Sequence, residues 1–179
     1  MKFPPQTNSG FTVVEAFVAI IVLGIFLSAA AGSAQQNLRL SRKLKADTTA
    51  INLAQEGLEF IRYKRDTNRM AGASGGWLES VVGSPKICDH LHGCTAELDK
   101  NTGALTFNRC VPGPDCKKLF FDPTTKIYSY DASGVPTDYR RTIHVNELPG
   151  GTEARVEVIM QWDNDNRSYT VDEILNDWQ

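Results

Sequence analysis

One acid at the head of a long apolar run is the most informative side chain in the sequence. Glu15 stands alone there: no charged residue occurs from Ala16 to Asn37, and the first positive charge beyond is Arg39. An ionisable group at the edge of a membrane-length apolar segment is costly to place, and it calls for a named partner. The chain offers one. A cut after Gly10 would make Phe11 the N-terminus. The new α-amine would then lie about one helical turn from the Glu15 carboxylate, on the same helix face.

Cysteine chemistry comes next. Cys88, Cys94, Cys110 and Cys116 are an even number in a compact region, which favours disulfides if the region lies outside the cytoplasm. Lys100-Asn101-Thr102-Gly103 reads as a hairpin turn. Cys94 and Cys110 each lie eight residues from Thr102, and Cys88 and Cys116 fourteen. That symmetry favours nested bridges, 94–110 and 88–116, with local loops, 88–94 and 110–116, as the alternative. A zinc reading competes, because Cys88, His90, His92 and Cys94 crowd four N/S ligands into seven residues. Structural zinc sites use tighter cysteine pairs spread over two knuckles, so no metal or cofactor is assigned. His90, His92 and His144 lack a Ser or Cys nucleophile at a recognisable spacing, and no catalytic set emerges. Asp163-Asn164-Asp165-Asn166 imitates the start of a calcium loop. Arg167 falls where the third oxygen ligand belongs and no Gly follows, so a polar turn is the simpler reading. Arg140-Arg141 is too short to make a nucleic-acid patch, and a formal charge of -2 attracts no polyanion.

These residues need elements to hold them. Ala16 to Ala34 is 19 residues long, close to the ~20 that span a bilayer. The Ala29–Ala34 cluster also resembles a signal-peptidase site, but the leader carries Lys2 as its only charged side chain. No Pro occurs from Thr12 until Pro85. Leu44, Ile51, Ala54, Leu58 and Ile61 recur at helical spacing, with Arg62, Lys64 and Arg65 suited to a helix C-terminus. Asn68, Gly72 and the run Ala73 to Gly76 supply stop signals. One helix from about Thr12 to about Asp66 would measure ~80 Å at 1.5 Å per residue. Its second half is amphipathic and must pack on something. Extended segments follow at Cys94–Asp99, Ala104–Cys110, Lys126–Tyr130, Thr142–Leu148, Ala154–Trp162 and Ser168–Leu175. In the fifth of these Val156, Val158, Met160 and Trp162 share a face. Trp77, Trp162 and Trp178 read as packing residues. The fold class expected is α+β: a long N-terminal helix, half transmembrane and half amphipathic, packed against a C-terminal antiparallel sheet.

Ser9-Gly10-Phe11-Thr12-Val13-Val14-Glu15 and the apolar run behind it resemble the class III signal of type IV prepilins and pseudopilins. In that family a short polar leader ends in Gly, Phe usually follows, and Glu stands fifth in the mature chain. Asn52-Leu53-Ala54-Gln55-Glu56-Gly57-Leu58-Glu59 resembles minor pilins of the PilV type. The resemblance implies a leader over residues 1–10, a transmembrane and stalk helix over 11–68, and an exoplasmic β-rich domain over 69–179. It implies cleavage after Gly10 by a membrane-bound prepilin peptidase, N-methylation of Phe11, and Glu15 acting in assembly. It also implies a pilin-like fold and, as partners, the peptidase and its methyltransferase activity, a major pilin, other minor pilins and the bacterial inner membrane. Some pseudopilins bind calcium, which keeps the Asp163 turn in view. Where many major pilins have a proline in the apolar half, this chain has Gly24 and Gly32. The filament served would be a type IV pilus, a competence pilus or a type II secretion filament. A membrane-anchored exoplasmic binding domain without assembly is the alternative, and a secreted hydrolase a further one. One feature conflicts: Arg39, Arg42, Lys43 and Lys45 follow the apolar run, where a positive-inside count would put the body in the cytoplasm. The cysteines and the resemblance put it outside.

Overall fold

In the computed structural model, residues 10, 12–82, 86–99, 102–111 and 116–177 are described. Helix α1 runs Val13–Ala71 and is followed by seven strands: β1 Cys94–Leu98, β2 Leu105–Arg109, β3 Lys118–Phe121, β4 Tyr128–Ser129, β5 Val135–Glu147, β6 Glu153–Trp162 and β7 Arg167–Asn176. The chain divides into two units, Met1–Ala46 and Asp47–Gln179.

The first unit holds the apolar part of α1. Every residue from Thr12 to Lys45 is exposed. The helix passes without a break through Gly24 and Gly32. The Ser28 hydroxyl donates to the Ile25 carbonyl at 2.8 Å and the Ser33 hydroxyl to the Ala29 carbonyl at 3.0 Å. Both therefore satisfy themselves on their own helix, as an apolar surrounding demands. This is a helix long and apolar enough to cross a membrane.

In the second unit the amphipathic part of α1 packs on the antiparallel sheet, giving an α+β fold. The stripe that is covered is Ala50, Leu53, Ala54, Gly57, Leu58 and Ile61. Leu44, expected on that face, is 55% exposed, because the covered stripe begins only at Ala50. The helix also outruns its expected end by five residues, from Asp66 to Ala71. It is closed by a Schellman cap: Gly72 takes φ +60°, its amide donates to Arg69 O, and the Ala73 amide donates to Asn68 O. The buried Asn68 side-chain amide donates to the carbonyls of Trp77 and Glu79, tying the following turn back to the helix.

β5 organises the sheet. One edge pairs with β6 from Arg140↔Gln161 to Glu147↔Ala154, and β6 pairs in turn with β7 over ten residues. The other edge is shared, with β3 beside the N-terminal half of β5 and β1 meeting it at Cys94↔Ile143. β1–β2 and β3–β4 are antiparallel hairpins. β6 alternates as its sequence predicts: Ala154, Val156, Val158, Met160 and Trp162 are all buried. β5 does not alternate, since Arg141 to Val145 are buried on both faces. α1 covers one face, where a Cβ at Gly57 would lie 2.9 Å from Val158 Cγ1 and 3.0 Å from Arg141 Cδ. The loop before β1 covers the other, where a Cβ at Gly93 would lie 2.5 Å from Thr142 Cγ2.

Two strand expectations are corrected. Lys126–Tyr130 shrinks to Tyr128–Ser129, because Asp122 winds the preceding residues into a turn. Its carboxylate accepts from the amides of Thr124 and Thr125, and its carbonyl from Lys126, which sits at φ +61°. β3 was not anticipated; its signal is the apolar Leu119-Phe120-Phe121, ended by Asp122-Pro123.

Candidate functional site

The proposed processing and assembly residues lie at the start of α1. Gly10 is exposed, and nothing lies within 4 Å of where its side chain would be. Phe11 lies outside the described residues. Thr12 is the N-cap: its hydroxyl oxygen accepts from the Glu15 amide at 3.3 Å, and its carbonyl from the Ala16 amide at 3.2 Å. Glu15 is thus the third residue of the helix, in the Thr-x-x-Glu arrangement of a capping box. This role was legible in the sequence and was missed there. It gives Glu15 a local function, since a carboxylate in the first turn complements the helix dipole. The arrangement still leaves a carboxyl group at the mouth of an apolar helix surface.

All four cysteines are bonded, in the local pairs Cys88–Cys94 and Cys110–Cys116, so the favoured nested connectivity is overturned. The register explains it. Cys94 stands opposite Arg109, one residue short of the expected partner. Successive strand residues point to opposite faces, so Cys110 turns away from Cys94. Cys94 instead meets Cys88 across a six-residue separation, with Cα atoms 4.7 Å apart. With both sulfurs in that bond, the Cys88–Cys94 loop presents no thiolate for zinc.

Asp89 shapes this loop. Its Oδ1 accepts from the amides of Leu91 and His92 at 3.0 and 2.8 Å and meets His92 Nδ1 at 3.0 Å. Arg109 Nη2 donates to Oδ2 at 2.9 Å. Burial by itself raises the Asp89 carboxyl, but His92 and the Arg109 guanidinium outweigh it and hold the group below the ordinary carboxylate range. The loop docks on β5 through the Val145 amide, which donates to Cys88 O at 2.7 Å, and through His144 Nδ1, 3.1 Å from Asp89 O. His92 and His144 are therefore structural members of the loop seat.

The largest fully buried side chain among the described residues is Arg141, which sequence reasoning set aside with Arg140 as too short a run for a nucleic-acid patch. It lies between α1 and the sheet. Nη1 donates to Leu53 O at 3.0 Å and to Glu56 Oε2 at 2.6 Å, and Nη2 to Ala96 O at 3.2 Å. Its guanidinium carbon sits 5.0 Å from the Phe60 ring centroid. No periodicity in the sequence flagged it, because a charge on the buried parity of a strand looks like a break in the pattern. A cavity of about 210 Å³ beside it is lined by Glu56, Phe60, Leu98, Tyr128 and Tyr130. Burial pushes the Tyr130 hydroxyl up, partly offset by Arg141.

The Asp163–Asn166 turn takes three left-handed residues, Asp163, Asn164 and Asp165, conformations that Asp and Asn tolerate. Asp165 faces Arg140 at 3.4 Å. Arg167 turns away to pair with both oxygens of Asp47 and stacks 5.2 Å from the Trp162 ring. These residues tie the turn to α1. Of the three tryptophans, Trp77 and Trp162 are buried and Trp178 lies outside the described residues.

No family model, curated protein or solved structure matches this chain.

Proposed function

We propose that the chain is a minor pilin or pseudopilin. It is inserted in a bacterial cytoplasmic membrane through the first part of α1, cut after Gly10 by a prepilin peptidase, and assembled into a type IV pilus, a competence pilus or a type II secretion filament. The role is structural rather than catalytic. The observation that carries this reading is Glu15. It is the only acid in the unit Met1–Ala46, and it opens a helix surface that is apolar to Ala34 and exposed throughout. In a filament core the Phe11 amine would neutralise it, where an unpaired charge costs several kcal/mol. Two local disulfides suit a body outside the reducing cytoplasm.

The capping box favours a second reading, a membrane-anchored exoplasmic domain in which Glu15 merely starts the helix. Glu15→Gln separates the two. Gln keeps the capping geometry and removes the charge. The filament reading expects a mature N-terminus at Phe11, N-methylated by mass spectrometry. It also expects the Glu15→Gln chain, though normally cleaved, to be depleted at least tenfold in sheared filaments relative to membranes, since about 1.4 kcal/mol of lost pairing is tenfold. Equal incorporation of wild type and Glu15→Gln, or an N-terminus left at Met1 in filament-forming cells, would leave only the capping role.

A further inference from the structure

The unit Met1–Ala46 carries an unexplained charge pattern. Its one acid is Glu15, whereas Arg39, Arg42, Lys43 and Lys45 are gathered at its far end. Arg39, Arg42 and Lys43 are exposed and have no ion-pair partner among the described residues. Placed on a helix at 100° per residue, the three fall within about 100° of one another, a single cationic stripe. The disulfides suit a body in an oxidising compartment, yet cations beside a span normally accumulate on the cytoplasmic side. A cluster kept against that bias needs a task of its own.

Axial position indicates the task. The apolar run ends at Ala34, and Arg39 lies five residues further, about 7.5 Å along the axis. The headgroup layer adds about 5–7 Å to each side of a bilayer core. Helical side chains lean toward the N-terminus, which here is the membrane side, and long cationic side chains stretch back to the interface. Both effects return the guanidinium and ammonium groups of residues 39, 42 and 43 to the depth of lipid phosphates. Arg offers a fork matched to a phosphate diester, and Lys a point charge.

We infer that Arg39, Arg42 and Lys43 form a collar that binds the phosphate headgroups of anionic phospholipids in the leaflet from which the helix emerges. The inference rests on the membrane-spanning part of the proposed function and adds a lipid specificity to it. Bound lipid would fix the depth of α1 and shield the stripe before any assembly step.

The test uses the intact chain in micelles doped with equal amounts of phosphatidylglycerol and phosphatidylcholine, with retained lipids counted by native mass spectrometry. Wild type should retain phosphatidylglycerol at least fivefold over phosphatidylcholine, the scale expected of even one juxtamembrane cation. The triple variant Arg39→Gln, Arg42→Gln, Lys43→Gln should fall to about equal retention while resisting alkaline carbonate extraction from membranes as wild type does. Excess inorganic phosphate should not displace the lipid. No preference in wild type, or an undiminished preference in the triple variant, would overturn the collar and leave the membrane reading standing. Displacement by inorganic phosphate would make it a general anion site. Extraction of the wild-type chain by carbonate would overturn both.

Discussion

The two parts of α1 are one helix with the same backbone hydrogen bonding, and they draw stability from opposite sources. From Thr12 to Lys45 every residue of the helix is exposed. Apolar residues such as Ile20, Ile25, Phe26 and Leu27 surround it on every side and stand 63–69% exposed. From Asp47 to Ala71 one apolar stripe, Ala50 to Ile61, is buried on the sheet. A helix apolar all round seeks an apolar environment, whereas an amphipathic one supplies half of its own. Charge follows the same division. The first part keeps its single acid at the N-terminal edge. The second buries Arg141 against its face, where Glu56 and two carbonyls accept from Nη1 and Nη2 while the buried Nε has no partner.

The comparison breaks most visibly at Arg141. Arg141→Ala leaves two carbonyls and the Glu56 carboxylate without their donor and opens a void beside Phe60. We expect about 3–5 kcal/mol of destabilisation, from the void left by a large buried side chain and the donors lost to two carbonyls, since Glu56 is 39% exposed and is rehydrated. The measurement is urea unfolding of the detergent-solubilised chain, followed by tryptophan fluorescence. A cost under about 1 kcal/mol would mean the guanidinium is hydrated rather than structural.

A matched pair of leucines sharpens the contrast. Leu58 is 5% exposed and Leu27 is 68% exposed. Leu58→Ala should cost about 2–5 kcal/mol of domain stability. Leu27→Ala should change the same transition by less than about 0.5 kcal/mol, because it removes no buried contact. Equal effects would show that the two parts do not differ in the way described.

The disulfides come next in size. Each loop is short, so the loss of either pair, as in Cys88→Ser with Cys94→Ser, should cost about 2 kcal/mol. Non-reducing peptide mapping should recover fragments linking Cys88 to Cys94 and Cys110 to Cys116. A Cys94–Cys110 fragment would return the symmetric hairpin register.

The smallest effect is in acid. Asp89 has its carboxyl lowered in the fold, with burial opposed by His92 and Arg109. Asp138 is lowered by Lys118 first and then by the Asn164 amide. A lowered folded-state pKa contributes stability above the unfolded value of 3.8, and that stability is lost as pH falls through the folded value. Stability should therefore hold from neutrality down to about pH 4 and decline below it. The decline should be shallower in Asp89→Asn, whose baseline is lower. A decline starting near pH 6 would assign the effect to histidines instead.

The sequence by itself determined the features carried by long local patterns. The uncharged run gives a membrane-length helix, three-four spacing gives the amphipathic stripe from Ala54 to Ile61 though not its start at Leu44, and Gly72 supplies the cap. Strict alternation fixes β6, because a strand with one buried face repeats every two residues. Thr12-x-x-Glu15 is just as local, and a capping box was there to be read. Tertiary structure decided what depends on partners far apart in the chain. A register one residue off symmetry moved Cys94 opposite Arg109 and selected the local disulfides. Packing from both sides erased the alternation of β5, hiding Arg141 under α1 and His144 under the Cys88–Cys94 loop. An arginine can be buried only where distant acceptors converge on it, and Leu53, Glu56 and Ala96 meet there only once the helix and sheet have come together.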